Sequence, residues 1–188
     1  MRVITGTARG RVLKTLDGED VRPTTDRVKE AIFSIIQFEI EGRQVLDLFA
    51  GSGQLGIEAL SRGAAYATFT DMSRDAVDTV KSNLLHTKLG QNASVLQTEA
   101  VTFLKSHREK KFDIVFMDPP YSQGILQKTL PYVAECVNDG GVIICEHPIG
   151  EELDEEVGTF AVYRTYKYGK IGITVYRPKT VIFGGEEK

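Results

Sequence analysis

Apolar residues recur at helical spacing early in the chain. The five positions occupy i, i+3, i+4, i+7 and i+8, which is typical of one buried face of an amphipathic helix. They are Val28, Ala31, Ile32, Ile35 and Ile36. Pro23, Thr24 and Thr25 precede this pattern, and the two threonines are expected to cap the helix at its N-terminus.

From residue 45 onward, short apolar runs alternate with helical patterns. The predicted strands cover residues 45–49, 67–71, 93–97, 112–117 and 142–145. The intervening helices are expected to end at Gly63, to cover 74–89 with Gly90 as the cap, to cover 100–107, and to bend or start at Pro131. This alternation predicts a mainly parallel sheet with helices on both faces. Residues 159–177 predict a final antiparallel pair around Gly169.

The start of the chain has a different character. Residues 1–22 carry three glycines between short β-prone pieces, which predicts a small β-hairpin extension, followed by one α/β domain over residues 23–188. Four cationic residues come before any acidic one, although the net charge is −3. They are Arg2, Arg9, Arg11 and Lys14. This asymmetry indicates either a nucleic-acid contact or a solvated hairpin whose charges protect an edge strand.

Composition limits the class of protein. A chain of 188 residues with 41% hydrophobic and 26% charged residues suits a soluble α/β domain. No apolar run could span a bilayer, and the N-terminus has no signal-peptide pattern, so we expect a cytoplasmic protein without a membrane partner. Cys136 and Cys145 lack metal-ligand spacing, and the three histidines are scattered, so no metal is expected.

A glycine-rich motif follows the first predicted strand. Gly51, Gly53 and Gly56 match the dinucleotide-binding pattern, and Asp71 lies twenty residues after Gly51, where a carboxylate can accept hydrogen bonds from ribose hydroxyls. The glycines alone leave NAD and S-adenosylmethionine open. Asp47, inside the motif, favours S-adenosylmethionine because it can hold the methionine ammonium. Phe49 is expected to pack near the cofactor or in the core.

A second motif, Asp118-Pro119-Pro120-Tyr121, ends an apolar strand, where open α/β sheets place their active sites. An exocyclic base amine is a poor nucleophile, and two acceptors aimed at its protons expose the nitrogen lone pair. The Asp118 carboxylate and the Pro119 carbonyl can be those acceptors, and consecutive prolines stiffen them. Tyr121 offers a face on which a base can stack. Glu146 is expected either to face the cleft or to cap a helix or loop.

Taken together, these motifs resemble the amino-methyltransferases that carry the Asp/Asn-Pro-Pro-Tyr/Phe signature. The stretches 2–11 and 22–33 and the closing Tyr168-Gly169-Lys170 narrow the resemblance to the bacterial small-subunit ribosomal RNA guanine-N2 methyltransferases of the RsmD type. That resemblance implies a Rossmann-like class I fold with seven strands and an antiparallel final strand. It also implies S-adenosyl-L-methionine as cofactor, guanine N2 as acceptor, and ribosomal RNA as partner, within the small subunit or an assembly intermediate.

The resemblance also implies site residues. The expected cofactor-binding set is Asp47, Phe49, Ala50, Gly51, Ser52, Gly53, Asp71, Met72, Glu99, Ala100 and Asp118. Within it, Glu99-Ala100 matches the adenine-edge position, where the family commonly has an aspartate rather than the longer glutamate. The expected RNA-binding set is Arg9, Arg11, Arg22, Thr24 and Arg27.

Three other functions are compatible with parts of this pattern. An N6-adenine or N4-cytosine DNA methyltransferase uses the same tetrapeptide, but usually carries an extra target-recognition segment for which this chain has no room. A non-catalytic ribosome-assembly factor would not need the intact set of Gly51, Gly53, Asp71 and Asp118. A dehydrogenase has no use for the Asp118 motif.

Overall fold

The computed structural model describes residues 1–16, 26–121 and 124–183. Within these residues the chain forms one eight-stranded sheet in the order β3-β2-β1-β4-β5-β8-β7-β6. The strands are β1 Gln44–Asp47, β2 Tyr66–Asp71, β3 Ala93–Gln97, β4 Phe112–Met117, β5 Val137–Pro148, β6 Glu156–Val157, β7 Phe160–Tyr168 and β8 Ile171–Pro178. The helices are α1 Asp26–Ile35, α2 Gln54–Ser61, α3 Arg74–Thr87, α4 Ala100–Ser106, α5 Ile125–Glu135 and α6 Lys179–Phe183, with a 3-10 turn at Gly90–Asn92.

The sheet confirms the predicted Rossmann-like class. Strands β1 to β5 pair in parallel, and β8 lies antiparallel between β5 and β7. Seven strands were expected, and the eighth is the two-residue β6, which pairs with β7 at the edge of the sheet. Its short length and exposed Glu156 explain why no strand pattern predicts it.

Three predicted element ends are wrong. Helix α3 ends at Thr87, and Lys88 rather than Gly90 adopts the left-handed cap conformation, with φ 61°. Leu89, the residue after this cap, packs against the core. Helix α5 begins at Ile125 and contains Pro131, so the alternative in which the helix starts at Pro131 is wrong. The first strand ends at Asp47, since the glycine turn starts earlier than the apolar run suggests.

The two faces of the sheet bury separate cores. One core packs α1, α2 and α3 against alternate residues of the central strands, such as Phe69 and Phe116. The other core packs α4 and α5 against the intervening residues, such as Val115 and Ile143. In α1, the predicted face is buried at Val28 and Ile32. Parallel strands covered on both faces explain the nearly continuous apolar runs in the sequence.

Residues 1–14, here called the arm, pack into the first core. Arg2 and Val12 form an antiparallel bridge, and Val3, Ala8 and Leu13 are buried among the residues of α1 and α2. The arm is therefore attached to the domain through apolar contacts as well as through its backbone. The division into an extension and a domain stays a prediction.

A buried ion pair joins the arm to two helices. Lys29 of α1 and Glu58 of α2 are both fully buried, with 3.7 Å between the Lys29 Nζ and a Glu58 carboxylate oxygen. The backbone N–H groups of Ile4 and Thr5 donate to the two Glu58 oxygens at 2.7 and 2.9 Å. The pKa of Lys29 is lowered by loss of hydration, and the attraction of Glu58 opposes that shift. A lysine is seldom buried without such a partner.

Ser61, one turn after Glu58, continues this attachment. Its hydroxyl accepts from the N–H of Ala8 at 2.9 Å and donates to the carbonyl of Thr5 at 2.6 Å. Gly6 lies so close that a Cβ there would stand 1.7 Å from the Ser61 carbonyl oxygen. The arm can therefore cross the end of α2 only with glycine at this position.

We predict that Gly6→Ala lowers the free energy of unfolding by about 3 kcal/mol or more, since left-handed strain adds to steric overlap. Gly10 is the matched control, because its φ of +81° is similar to the +87° of Gly6 while a Cβ there would meet nothing within 4 Å. Gly10→Ala should therefore lower the free energy of unfolding by about 1 kcal/mol, which is the cost of the left-handed backbone conformation alone. Urea unfolding of the two variants decides, and equal losses would contradict the close approach at Ser61.

Candidate cofactor and acceptor site

The two sequence motifs meet at one edge of the sheet. Asp47 ends β1, and its register partners are Phe69 of β2 and Phe116 of β4. The loops after these three parallel strands therefore leave the sheet side by side. This edge, at the carboxyl ends of the strands, is where open α/β sheets bind ligands.

The glycine turn is shaped for close approach of a ligand. Gly51 and Gly53 have φ values of 53° and 77°, in the left-handed region that favours glycine. A Cβ on Gly51 would meet nothing within 4 Å, so the space above the turn is open. A Cβ on Gly56 would lie 2.2 Å from the Phe69 ring, so this third glycine lets α2 pack on β2.

Asp47 lies buried beneath this turn. Its Oδ2 accepts from the N–H of Gly56 at 2.9 Å, at the start of α2. Burial raises the pKa of Asp47 to about 8, the carboxylates of Asp118 and Asp71 add to the rise, and the bond from Gly56 opposes it. A carboxylate in this environment is stabilised by a cation, so Asp47 can hold the ammonium of a ligand.

Asp71 fixes the other side of the turn. One of its oxygens accepts from the N–H of Gly51 at 2.9 Å, and the other accepts from the N–H of Ser73 at 2.8 Å. A carboxylate offers about four lone-pair sites, so Asp71 can also accept from a diol. Met72 follows with 72% of its side chain exposed, which leaves an apolar surface beside the carboxylate.

Glu99 caps a helix. Its carboxylate accepts from the N–H groups of Val101 and Thr102 and from the Thr102 hydroxyl, at the N-terminus of α4. Desolvation opposes ionisation, but these hydrogen bonds outweigh it and lower the pKa of Glu99. Ala100 is buried beside it.

The Asp-Pro-Pro-Tyr segment begins directly after β4. Asp118 is half-buried, Pro119 is buried, and Tyr121 is 40% exposed. The Tyr121 hydroxyl donates to Glu146 of β5 across 3.3 Å, and Glu146 is 3% exposed. The two strands thus bring Glu146 against the tetrapeptide, which its place in the sequence left undecided.

His147 points away from this site, because successive side chains of a strand face opposite sides. Its Nε2 lies 2.8 Å from the Thr174 hydroxyl, beside a cavity of about 230 Å³ that includes Leu153 and Val162. The ring also packs on Gly172, where a Cβ would lie 2.6 Å from it. His147 is a buried, hydrogen-bonded histidine of the second core.

The candidate RNA-binding residues occupy two neighbouring elements. Arg9, on the arm, and Arg27, on α1, are exposed. Arg11 is half-buried, and its guanidinium donates to the carbonyl of His86 at the end of α3. Arg22 and Thr24 lie outside the described residues.

Asn83 is a site neighbour that sequence reasoning missed. It is 1% exposed in α3, and its side-chain amide bonds the backbone of Lys14 and of Ser52. An isolated asparagine within an amphipathic helix carries no signal of such a role.

The described ranges lack both a metal-binding cluster and a membrane-spanning helix. Residues 1–16, 26–121 and 124–183 contain no cluster of three or more histidine, cysteine or acidic side chains arranged to hold a metal. In the same ranges, every helix is too short or too polar to cross a bilayer.

Comparisons with known proteins agree with this geometry. The model of the family described as "Conserved hypothetical protein 95" matches residues 1–177. The chain is 43% identical over 183 residues to "Putative rRNA methyltransferase YlbH" of Bacillus subtilis, covering 95% of this chain and 100% of that protein. It is 36% identical over 179 residues to "Ribosomal RNA small subunit methyltransferase D" of Escherichia coli K12, covering 94% and 89%.

This chain belongs to the Conserved hypothetical protein 95 family. The solved structure of "Putative methyltransferase yhhF from Escherichia coli" superposes with a TM-score of 0.85 at 37% identity, covering 95% of this chain and 97% of that one. The relatives and this solved structure are named methyltransferases, and this chain is likewise a methyltransferase with S-adenosylmethionine as its cofactor. The two alternatives of a dehydrogenase and of a non-catalytic ribosome-assembly factor are therefore excluded.

The raised pKa of Asp47 gives a pH prediction. Folding raises this pKa above that of an unfolded aspartate, so the ionised carboxylate is costly in the ligand-free folded state. The protonated Asp47 therefore contributes to the free energy of unfolding; this contribution is complete below about pH 4 and is lost as the pH rises to about 8. Asp47→Asn cannot ionise and keeps an oxygen that can accept from Gly56. Between about pH 5 and pH 9, its free energy of unfolding should rise by several kcal/mol relative to the wild type, at about 1.4 kcal/mol per pKa unit.

Urea unfolding at fixed ionic strength, without cofactor, measures this difference at each pH. A difference between the two proteins that stays constant across the range would show that Asp47 does not titrate there.

Proposed function

We propose that this methyltransferase transfers the methyl group of S-adenosylmethionine to the exocyclic N2 of a guanine in small-subunit ribosomal RNA. The observation that carries the proposal is the Asp118–Tyr121 segment at the end of β4, directly beside the Asp47 turn at the end of β1. The names of the two relatives support ribosomal RNA as the substrate. The activity belongs in the cytoplasm, on the small subunit or an assembly intermediate.

The residues at the sheet edge fit the cofactor. Within the described residues, Asp47 takes part in none of the salt bridges, and burial is the main cause of its raised pKa. The cofactor ammonium would provide a counter-charge, and the cofactor would supply an electrophilic methyl group on its sulfonium. Asp71 would take the ribose hydroxyls. The remaining proposed contacts are Phe49, Ala50, Gly51, Ser52, Gly53, Met72, Glu99, Ala100 and Asp118.

Different elements would contact the face and the edge of the adenine ring. Met72, exposed beside Asp71, offers the apolar surface on which the adenine would lie. At Glu99-Ala100 the backbone is the candidate for the adenine edge, because the Glu99 carboxylate already accepts hydrogen bonds from the helix that it caps.

The tetrapeptide would orient the acceptor base. The Asp118 carboxylate and the Pro119 carbonyl accept from the two N2 protons, which directs the nitrogen lone pair toward the methyl group. Pro119 and Pro120 fix the backbone at this point, so the acceptors are held before the base arrives. Tyr121 stacks on the base, and its bond to Glu146 holds the ring in place. Asp118 or water takes the proton that the alkylated nitrogen releases.

The arm and α1 would contact the RNA backbone. Arg9 and Arg27 are exposed, and both elements are held to α2 by Glu58. Phosphate contacts by arginine position RNA without reading its sequence. We propose Arg9, Arg11, Arg22, Thr24 and Arg27 as the contacting residues.

We predict that Asp118→Ala abolishes methyl transfer and affects cofactor affinity far less, because its carboxylate acts mainly on the acceptor amine and is only one of many cofactor contacts. Tyr121→Ala should cost about 1–3 kcal/mol in kcat/KM for RNA through lost stacking. Tyr121→Phe is the matched control, since it keeps the stacking face and loses only the bond to Glu146. The assay follows methyl transfer to ribosomal RNA, with calorimetry of cofactor binding.

Mass mapping of the product nucleoside tests the proposed acceptor. N2-methylguanosine in small-subunit RNA, absent from cells that lack the protein, is expected. Methylation of adenine N6 or cytosine N4 in DNA, or near-wild-type turnover by Asp118→Ala, would contradict the proposal.

We predict that Arg9→Ala combined with Arg11→Ala raises the KM for RNA. Each lost phosphate contact should flatten the log–log salt dependence of RNA binding by about 0.7–0.9. S-adenosylmethionine affinity and the Tm should change little, since Arg9 is exposed and Arg11 makes one bond, to His86, at the surface.

Lys128→Ala is the control for this prediction. Lys128 is exposed on α5, which packs on the opposite face of the sheet from the arm. Normal RNA methylation by the double variant at physiological salt would show that the arm does not bind RNA.

A further inference from the structure

Asn83 links the arm to the glycine turn. Its Nδ2 donates to the carbonyl of Ser52 at 2.9 Å and to the carbonyl of Lys14 at 3.0 Å, and its Oδ1 accepts from the N–H of Lys14 at 2.8 Å. All three bonds reach backbone atoms that are distant in sequence. One side-chain amide therefore fixes the position of both segments.

Because Asn83 is buried, its hydrogen bonds respond to movement of either the arm or the glycine turn. Asn83 is 1% exposed, so a shift of Lys14 or Ser52 leaves its buried side-chain amide without a partner, which is unfavourable. The arm and α3 also enclose a groove of about 370 Å³, lined by Val12, Lys14, Ser82, Leu85 and His86 together with Asn83. A ligand that presses on the arm at this groove acts on Lys14 directly.

We propose that Asn83 is a positioning residue that couples the arm to the cofactor turn, so that each segment is more ordered when the other is occupied. Ser52 belongs to the turn that would lie against the cofactor, and Lys14 ends the arm that would contact RNA. Through Asn83, cofactor in the turn favours the arm conformation that binds RNA, and RNA on the arm favours the turn. By linkage, the two effects on affinity are equal. The RNA half of this statement rests on the proposed function, and the link between arm and turn does not.

Hydrogen exchange of the full-length protein tests the link without RNA. S-adenosylhomocysteine is the probe, and the N–H groups of Leu13 and Lys14 report on the arm, since they donate to Met1 and to Asn83. In the wild type, the probe should slow their exchange by about fivefold or more, the lower range of typical couplings. In Asn83→Asp, which keeps the acceptor for Lys14 and loses both donated bonds, that slowing should disappear while the probe still protects the start of α2.

Two further variants keep the test decisive. Asn83→Leu introduces a side chain of similar size that makes none of the three bonds and buries no charge, so it replaces Asn83→Asp if that variant does not fold. Asn92→Ala is the matched control, because the Asn92 Nδ2 donates to the Ala65 carbonyl at 2.9 Å, away from both the arm and the turn. The control should retain the wild-type slowing.

The outcomes separate the two proposals. Arm amides that ignore the probe in the wild type, or that respond equally in Asn83→Asp, overturn the coupling. The affinity of the probe is then measured with and without a small-subunit RNA fragment, and the wild-type ratio should fall to about one in Asn83→Asp. Failure of the wild type to bind or methylate RNA overturns the proposed substrate and leaves the exchange result standing.

Discussion

The buried carboxylate of Glu58 is the interaction on which the arrangement of the helical face depends. It accepts from the N–H groups of Ile4 and Thr5, it pairs with the buried Lys29, and it accepts from Arg62 at 2.8 Å. A buried charge is tolerated only when its hydrogen bonds are satisfied. Each partner comes from a different place in the sequence, so the arm, α1 and α2 are held together as one unit. The candidate RNA-contacting residues on the arm and α1 thereby acquire fixed positions relative to the cofactor turn.

A second constraint is the concentration of negative charge at the sheet edge. The carboxylates of Asp71 and Asp118 both raise the pKa of the buried Asp47. Folding alone gains nothing from this arrangement, because burial and the two neighbouring carboxylates make Asp47 harder to ionise. A cationic ligand at this edge would relieve the repulsion. Stability is therefore sacrificed locally for ligand binding, as is common where pKa values are strongly perturbed.

The proposals together describe one connected face of the molecule. The Asp47 turn, the Asp118 segment and Glu146 lie at the carboxyl ends of neighbouring strands. Asn83 and Glu58 join this edge to the arm through backbone hydrogen bonds. Cofactor, acceptor base and RNA backbone would thus meet on elements that are fixed to one another by buried polar groups. Such support is what holds reacting groups within the narrow geometry that methyl transfer requires.

The sequence by itself determined the fold class and the nature of the two motifs. The spacing of apolar residues distinguishes strands from helices, because a helix buried on one face and a strand buried on both faces carry different apolar patterns. The Asp47–Gly56 turn and the Asp118–Tyr121 segment were readable because local backbone geometry demands glycine and proline at fixed positions.

Only the tertiary structure decided which polar groups meet. Burial of Lys29, the contact of Glu146 with Tyr121 and the bridging by Asn83 each depend on a partner far along the chain. Helix ends were also decided there, since α3 ends with Lys88 in the left-handed cap and Leu89 packed against the core. The local sequence pattern indicates which residues of a segment are buried. The packing of the whole domain determines which partner each buried polar group meets.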